Sequence, residues 1–495
     1  MLNLFSSGSR GQAGHRRRRG AWLGVVAVAA ALALGVPTAS TAAVRAAGPQ
    51  ATAARAAAAQ PAAAQTTEQY VIRFWPRWTT YTQQLLFGRV AGAVALVGPN
   101  KISPLYNFIV AINNDTVYAG GFENLTNGPA VLTIPATSVT YSLLVLDMFG
   151  ERVPVNIKPQ TPGTYALVLK GWRGTLPRGV KKVTVPYRYT FWALRADKYS
   201  ATGQDMIAQA NAFRTALHLT TLAQYNADPA SGAARVVPVA TFIFSPKVAQ
   251  DASVTLTPTA FLRFMQRAVA DPGTQPMHPS DTQLSQQFNA DFTAAQQAAR
   301  RGNPVPLARI DAAARRAYRA IVAAWKDNTS STNWIHQDNF AEWGTDYLGR
   351  AAGSEYIQLG NNNAAAGYWD AFTDGNGRPL NGALHRYTLT FPASQLPDAK
   401  RFWSLTAYTP VNVEPIPNRL NKYLVARYTP GLVYNPDGSV TIYMAPTKPA
   451  GVPTANWLPV RRGLFSVLLR IYGPTGNTAP DATPPYTPPA ITTMR

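Results

Sequence analysis

The chain has 495 residues, no cysteine, and 46 Lys and Arg against 24 Asp and Glu, a formal charge of +22. Without cysteine there are no disulfides, thiolate metal sites or cysteine nucleophiles, and a chain of this length buries a core without covalent staples. The positive balance favours anionic neighbours, such as wall polymers, lipid headgroups or nucleic acid, without choosing between them.

In chain order, His15 and Arg16 to Arg19 precede "GAWLGVVAVAAALALGV" and then small residues around Ser40, Thr41 and Ala42. A basic start, a short apolar run and small residues predict a secretory signal over residues 1–42. The run is shorter than the roughly 20 residues that a span prefers, and no later segment is continuously apolar for that length. The expectation is export, to an extracellular or envelope-associated place, with no membrane span once the signal is cleaved. Cleavage against retention as an anchor, and Sec against twin-arginine export, stay open; Arg18-Arg19 is a weak match to the latter. Taking the five leader arginines from +22 leaves +17.

Residues 43–67 are mostly Ala, Thr and Pro and predict a disordered linker. Residues 68–226 predict a first strand-rich domain with a leading helix through "YTQQLLFGRVAGAVALV" and turns at Asn127-Gly128 and Pro162-Gly163. Residues 227–365 predict helices in "TPTAFLRFMQRAVA", "DTQLSQQFNADFTAAQQAARRG" and "PLARIDAAARRAYRAIVAAWKD". Residues 366–476 return to strands, with a hairpin turn predicted at Asn435-Pro436-Asp437-Gly438 before alternating Val440, Ile442 and Met444. Residues 477–495 form a Pro/Thr-rich tail of the same kind as the linker, with the same expectation of disorder.

The two strand regions repeat one another. "LTIPAT" at Leu132 to Thr137 pairs with "LTFPAS" at Leu389 to Ser394, and Tyr141-Ser142-Leu143 with Trp403-Ser404-Leu405. Trp172 with Trp457, Gly179 with Gly463, and Arg195 with Arg470 fall in corresponding places. The predicted class is α+β, mainly β: two related antiparallel β-sandwich domains, jelly-roll-like, with an intervening helical segment.

"INNDTVYAGGF", "GPAVLTIPAT", "YSLLVLDMFG" and "GWRGTLPRGV" together resemble the bacterial family known as domain of unknown function 1254. "FWSLTAY", "YTPGLVYNPDGSVTIYMA" and "NWLPVRRGLFSVLLRIYGP" resemble its carboxy-terminal companion, domain of unknown function 1214, and "GTDYLGRAA" is similar to the segment that joins them. The resemblance implies β-sandwich-like domains with helices and an activity that is unassigned. Two departures bear on ligands: Ala111-Ile112 stand where the family has Arg-Pro, and Asn421-Lys422-Tyr423 where it has Asn-Arg-Tyr. A lysine cannot reproduce an arginine fork.

Candidate ligand-binding residues are the polar cluster Asn113, Asn114, Asp115 and Thr116 with Tyr118, and Asn421, Lys422 and Tyr423. The cluster could equally bond its own backbone at a strand corner. Asp115 and Asp147, the latter ending a strand, are weak candidates for a catalytic carboxylate pair or a metal site. Asp338, Glu342 and Asp346 recur every four residues, predicting one helical face, with Asp346 pairing to Arg350. Arg195 and Arg470 stand inside apolar strands and, with Trp172 and Trp457, read as structural; each arginine demands a carboxylate or carbonyl partner. No two histidines have zinc-ligand spacing, and with neither G-x-G-x-x-G nor a Walker loop no nucleotide cofactor is expected.

The basic residues are scattered without an aromatic-basic ribbon, so no specific nucleic acid is expected. The expected role is an exported, envelope-associated ligand-binding or structural module, with anionic envelope polymers or a small ligand as partners. The alternative is a metal-assisted or acid-base hydrolase on an envelope or extracellular substrate. Sequence leaves enzymatic activity, cofactors and oligomeric state undecided.

Overall fold

Helix α1 (Gln50–Ala91) begins in the Ala-rich text that composition assigns to a disordered linker, so from Gln50 on residues 43–67 are helical. Poverty in large apolar groups is no bar to a helix, because Ala loses least on entering one. The structure, a computed structural model, describes residues 50–494, with side chains from Ala62 onward; the signal expected at 1–42 lies outside these residues. Every element from β1 onward belongs to one compact unit, Ala54–Arg495. Among the described residues no helix is long and apolar enough to cross a membrane.

After α1 come β1 (Val97–Pro99), β2 (Thr116–Asn124), β3 (Ala130–Ile134), β4 (Tyr141–Leu146), β5 (Gly163–Leu169), β6 (Lys181–Val185) and β7 (Tyr189–Asp197). Next are α2 (Ile207–Thr215), β8 (His218–Thr221), α3 (Leu222–Ala227) and β9 (Arg235–Val237). Helices α4 (Pro246–Leu256), α5 (Pro258–Ala270), α6 (Pro279–Arg300), α7 (Val305–Lys326) and α8 (Tyr347–Tyr356) follow. The chain then returns to strands in β10 (Ala366–Ala371), β11 (Tyr387–Phe391), β12 (Ala399–Tyr408) and β13 (Leu424–Ala426). It closes with β14 (Val440–Ala445), β15 (Trp457–Pro459), β16 (Ser466–Pro474) and β17 (Thr492–Thr493).

These strands make four antiparallel-rich sheets in a mixed α/β fold, and none of the four closes into a barrel. The N-inner sheet has the order β4-β7-β2-β1-β9 and the N-outer sheet β6-β5-β3-β8. The C-inner sheet runs β10-β16-β12-β13 and the C-outer sheet β15-β14-β11-β17. Strand for strand, β4-β7-β2 matches β12-β16-β10, all antiparallel. Likewise β6-β5-β3 matches β15-β14-β11, each with one parallel and one antiparallel pair.

Because side chains alternate along a strand, each inner sheet has two apolar faces. Trp192 and Leu194 of β7 share one core with Leu132, Tyr165 and Leu167 of the N-outer sheet. Leu469 and Ile471 of β16 share a second with Leu389, Ile442 and Met444 of the C-outer sheet. The remaining faces meet in a third, where Phe191 and Leu146 join Phe402, Leu468 and Tyr472, together with Phe87, Trp325 and Tyr356 from α1, α7 and α8. A fourth core holds the helices against Tyr70, Phe74 and Trp75 of α1.

Several expectations change in three dimensions. Asn127-Gly128 and Asn435 to Gly438 are turns, the latter closed by Gly438 N–H to Asn435 O at 2.9 Å, but neither joins paired strands. Strands β2 and β3 lie in different sheets, and no strand stands directly before the second turn to pair with β14. Trp172 does not correspond to Trp457: Trp457 pairs with Tyr443, and the matching pair in the first half is Ala166 with Lys182. The Lys182 ammonium instead lies 5.6 Å over the Trp172 ring, while Trp457 Nε1 donates to Ala445 O at 2.9 Å.

Asp338, Glu342 and Asp346 share no helical face, because α8 starts only at Tyr347. Asp346 caps that helix, accepting from Gly349 N–H at 2.8 Å, as a short polar side chain does at a helix start. Glu342 pairs with Arg152 at 2.6 Å. Arg350 does not pair with Asp346; it is buried over Phe149 and donates to Arg73 O at 3.2 Å. The Pro/Thr tail is also ordered: β17 pairs with β11, Ile491 is buried, and Trp334 Nε1 donates to Pro489 O at 2.8 Å. Its few apolar residues find an open sheet edge, which composition does not reveal.

Between α4 and α8 a buried cation is held by two carboxylates: Lys247 Nζ donates to Asp251 at 2.6 Å and to Glu355. Burial opposes the charge, yet Glu355 and Asp251 hold Lys247 above its ordinary range. Removing one partner strands the other, so Lys247→Met is expected to cost about 3–5 kcal/mol. The double variant Lys247→Met/Glu355→Gln should cost clearly less; urea unfolding of the single and double variants measures this.

Helix α7 docks on β10 through Trp325 Nε1, which donates to Asp370 Oδ2 at 3.1 Å. Burial raises Asp370 from 3.8 to about 7, against the lowering effect of that bond. A carboxyl raised on folding contributes stability that is complete below its unfolded pKa and lost as pH rises through its folded one. Asp370→Asn should therefore flatten the stability loss between pH 4 and 7 by up to about 4 kcal/mol, read from unfolding midpoints at several pH values.

Candidate ligand site between the two inner sheets

Each inner sheet carries one arginine in an otherwise apolar row. The row on β7 is Phe191, Ala193 and Arg195, and on β16 it is Leu468, Arg470 and Tyr472. Register gives both arginines the same kinds of neighbour. Arg195 lies across from Tyr118 on β2 and Ser142 on β4; Arg470 lies across from Tyr368 on β10 and Ser404 on β12.

Each guanidinium reaches out of its own half. Arg195 donates from Nη1 to Asn361 Oδ1 at 3.0 Å and from Nη2 to Leu359 O at 2.8 Å, in the segment entering β10. Arg470 donates from Nη2 to Ala111 O, in the segment entering β2, and from Nη1 to Thr406 Oγ1 at 3.4 Å. Asn113 Nδ2 donates to the Tyr472 hydroxyl at 2.6 Å, and the Tyr408 hydroxyl to Ile112 O at 2.7 Å. Arg401 on β12 adds a two-pronged ion pair to Asp197 on β7, with Nε at 2.9 Å.

Between the arginines is a cavity of about 40 Å3, lined by Arg195, Arg470, Tyr118, Tyr368, Tyr472 and Asn113 with neighbouring backbone. Ala111 and Gln358 beside it have φ of 51° and 65°, and Val413, which accepts from Ala111 N–H at 3.1 Å, has 53°. Left-handed backbone at residues other than glycine costs about 1–3 kcal/mol each and gathers at functional sites.

Residues 94–221 match the family model described as protein of unknown function DUF1254, and residues 365–476 match that described as protein of unknown function DUF1214. The two matches stand in that order along the chain, the DUF1254 match first and the DUF1214 match second. No curated protein matches it. Among solved structures, the VPA0106 protein from Vibrio parahaemolyticus is similar at 19% identity and a TM-score of 0.54, over 88% of this chain and 100% of that one. The likeness is of fold alone. An uncharacterized protein from Burkholderia cenocepacia aligns at 13% identity and a TM-score of 0.39, over 90% of this chain and 97% of that one.

The cavity thus lies between the segments that match DUF1254 and DUF1214, with Ile357, Leu359 and Gly360 from the stretch between them. Arg195 and Arg470 are 5% and 2% exposed, and among the described residues neither makes an ion pair. Arg195 Nε has no hydrogen-bond partner. Burial works against the Arg470 charge, but Tyr408, Tyr472 and Asp115 hold the group protonated. Asp115 accepts from Ser404 Oγ at 3.0 Å and from the Tyr428 hydroxyl. Burial raises its pKa, opposed first by the Tyr428 bond and then by the Arg470 charge. Tyr408 is pushed up to about 12 by burial, so its hydroxyl is a donor at neutral pH.

Within the polar cluster, Asn113 faces the cavity and also accepts from Asp115 N–H at 3.2 Å and Thr116 Oγ1 at 3.1 Å. Asn114 is turned to Lys198, whose Nζ donates to its Oδ1 at 2.6 Å and its O at 2.8 Å. Burial lowers that lysine to about 8. Asp147 is engaged elsewhere: it accepts from Phe149 N–H at 2.8 Å, Glu151 N–H at 2.9 Å and Gln275 Nε2 at 2.5 Å. It shares no hydrogen-bond partner with Asp115, and among the described residues no three His, Cys, Asp or Glu gather as metal ligands.

Asn421, Lys422 and Tyr423 do not line the cavity; Lys422 Nζ donates to Ala455 O at 3.0 Å, and the Tyr423 hydroxyl to Asn421 Oδ1 at 3.0 Å. Sequence reasoning misses Asn361, Tyr368, Tyr428 and Tyr472 as site residues. The repeat carries the signal for one of them, since Tyr368 is to Arg470 what Tyr118 is to Arg195.

Tyr428 and Ser404 are the hydroxyls on the buried Asp115 carboxyl. Tyr428→Phe removes a donor without emptying the site and should cost about 1–3 kcal/mol by urea unfolding, with Ser404→Ala costing no more.

Proposed function

We propose that the chain is an exported, envelope-associated protein that binds a small carboxylate between two related β-sandwich units. One observation carries the reading. Two guanidiniums, taken out of water on one cavity, have neutral hydrogen-bond partners, and the buried carboxyls that act on them, Asp115 and Asp370, both act on Arg470. Desolvating cations without anions is costly, and a bound carboxylate offsets that cost while giving the unpartnered Arg195 Nε an acceptor. A cavity of about 40 Å3 suits a carboxylate group or the few waters that replace it, at roughly 10–15 Å3 each.

The matching strand orders and the shared tyrosine-arginine-serine register support duplication of one sandwich unit. The basic, then apolar, then small leader supports export. An acid-base hydrolase built on Asp115 and Asp147 has less support, since the two acids have separate partners and Asp115 is held by hydroxyls.

The test is calorimetric titration of formate, acetate and propionate, with phosphate alongside. Saturable carboxylate binding is expected, weakened at least tenfold in Arg195→Gln, or about 1.4 kcal/mol. No binding by the wild type, or equal binding by the variant, would sink the proposal; tighter phosphate than carboxylate binding would overturn the ligand class.

A further inference from the structure

A second cavity, of about 50 Å3, lies where the tail folds back on the segment that matches DUF1214. Trp369 of β10 forms one side, and Pro480, Pro485 and Tyr486 of the tail form another. The His336 imidazole stacks on the indole at 4.4 Å and 7°, and the Tyr486 ring meets it edge-on at 5.5 Å. Gly367, also lining the cavity, makes room for that indole, since a Cβ there would fall 2.5 Å from the ring.

Five polar side chains line this cavity; the Thr478 and Tyr486 hydroxyls donate to backbone carbonyls, hydrogen bonding elsewhere leaves His336 and Asn363 an acceptor each, and Asp338 is a carboxylate. His336 Nδ1 is 2.7 Å from Tyr368 O. A carbonyl only accepts, so Nδ1 carries the proton and Nε2 the lone pair. Burial lowers the His336 pKa and keeps the ring neutral at pH 7. Nε2 is 3.5 Å from the carboxylate of the exposed Asp338, two acceptors side by side. Asn363 Nδ2 donates to Gln337 O at 2.7 Å, which leaves Oδ1 as its free end. That oxygen has no partner, although Asn363 is only 8% exposed. Among the described residues lining the cavity there is no Lys or Arg.

We propose that this cavity binds the primary ammonium group of a small amine, with His336 Nε2, Asp338 and Asn363 Oδ1 accepting its three N–H bonds and Trp369 and Tyr486 flanking its carbon chain. An ammonium is the common group that supplies three donors and a positive charge and requires no donor in return. It also places a shared donor between the two facing acceptors, His336 and Asp338. The aromatic walls add cation–π attraction, and the volume admits a chain of only a few carbons.

The experiment titrates n-propylammonium chloride into the purified full chain by calorimetry, beside 1-propanol and tetramethylammonium chloride. Propanol lacks the charge, and tetramethylammonium lacks the N–H donors. Saturable binding of propylammonium alone is expected. Asp338→Asn, at an exposed position that folding does not depend on, should weaken it about tenfold and leave acetate binding unchanged, so this site and the anion site stand or fall separately. Equal affinity for tetramethylammonium, no saturable binding of propylammonium, or undiminished binding in Asp338→Asn would each overturn the proposal.

Discussion

The reciprocal grip of Arg195 and Arg470 is the constraint on which the rest of the structure depends. Each arginine rises from an interior strand of its own inner sheet, second from the edge, and ends on the backbone that leads into the other half. Facing apolar sheets could slide over one another, because apolar contact is not directional. A planar fork of donors meeting particular carbonyls removes that freedom. Asn113 to Tyr472 and Arg401 to Asp197 repeat the logic from either side, so the interface is held by directional bonds set within a hydrophobic core.

Directional bonding also explains the backbone around the cavity. For its carbonyl to accept from Arg470, Ala111 sits in left-handed backbone, tied by its N–H to Val413, which is left-handed as well. Gln358 does the same on the opposite segment and accepts from Val110 N–H at 2.8 Å. Strain persists where the surroundings over-determine it. Here two domains impose it on each other, and the space left between them is lined by charge with few counter-charges.

The helices do more than fill the interval between the two strand regions. Helix α7 touches β10 through Trp325 and Asp370, and α8 brings Glu355 to Lys247 on α4 and to Trp75 Nε1 on α1 at 3.2 Å. The segment after α8 then supplies Leu359 and Asn361 to Arg195. One stretch of chain therefore couples the buried ion pair of the helical layer to the anion cavity. At the far end, the tail uses Ile491 and the β11 edge to anchor Pro485 and Tyr486 over Trp369.

Period-two alternation, the helical spacing of the middle third and the recurrence of "LTIPAT" as "LTFPAS" are local properties, and they were legible because each concerns residues near one another in the chain. Arg195 and Arg470 were legible as anomalies for the same reason, as charges in apolar strands. The linker and tail were misread because composition reports the lack of a private core, not whether Ala-rich text turns helical or a short apolar run finds a sheet edge. The face shared by Asp338, Glu342 and Asp346 failed because a four-residue period fits a helix but does not make one. Sequence alone determined which side chains share a strand face. Only the tertiary structure decided which faces meet, since alternation carries no information about the opposing sheet. That pairing, made by residues some 275 positions apart such as Arg195 and Arg470, creates the cavity.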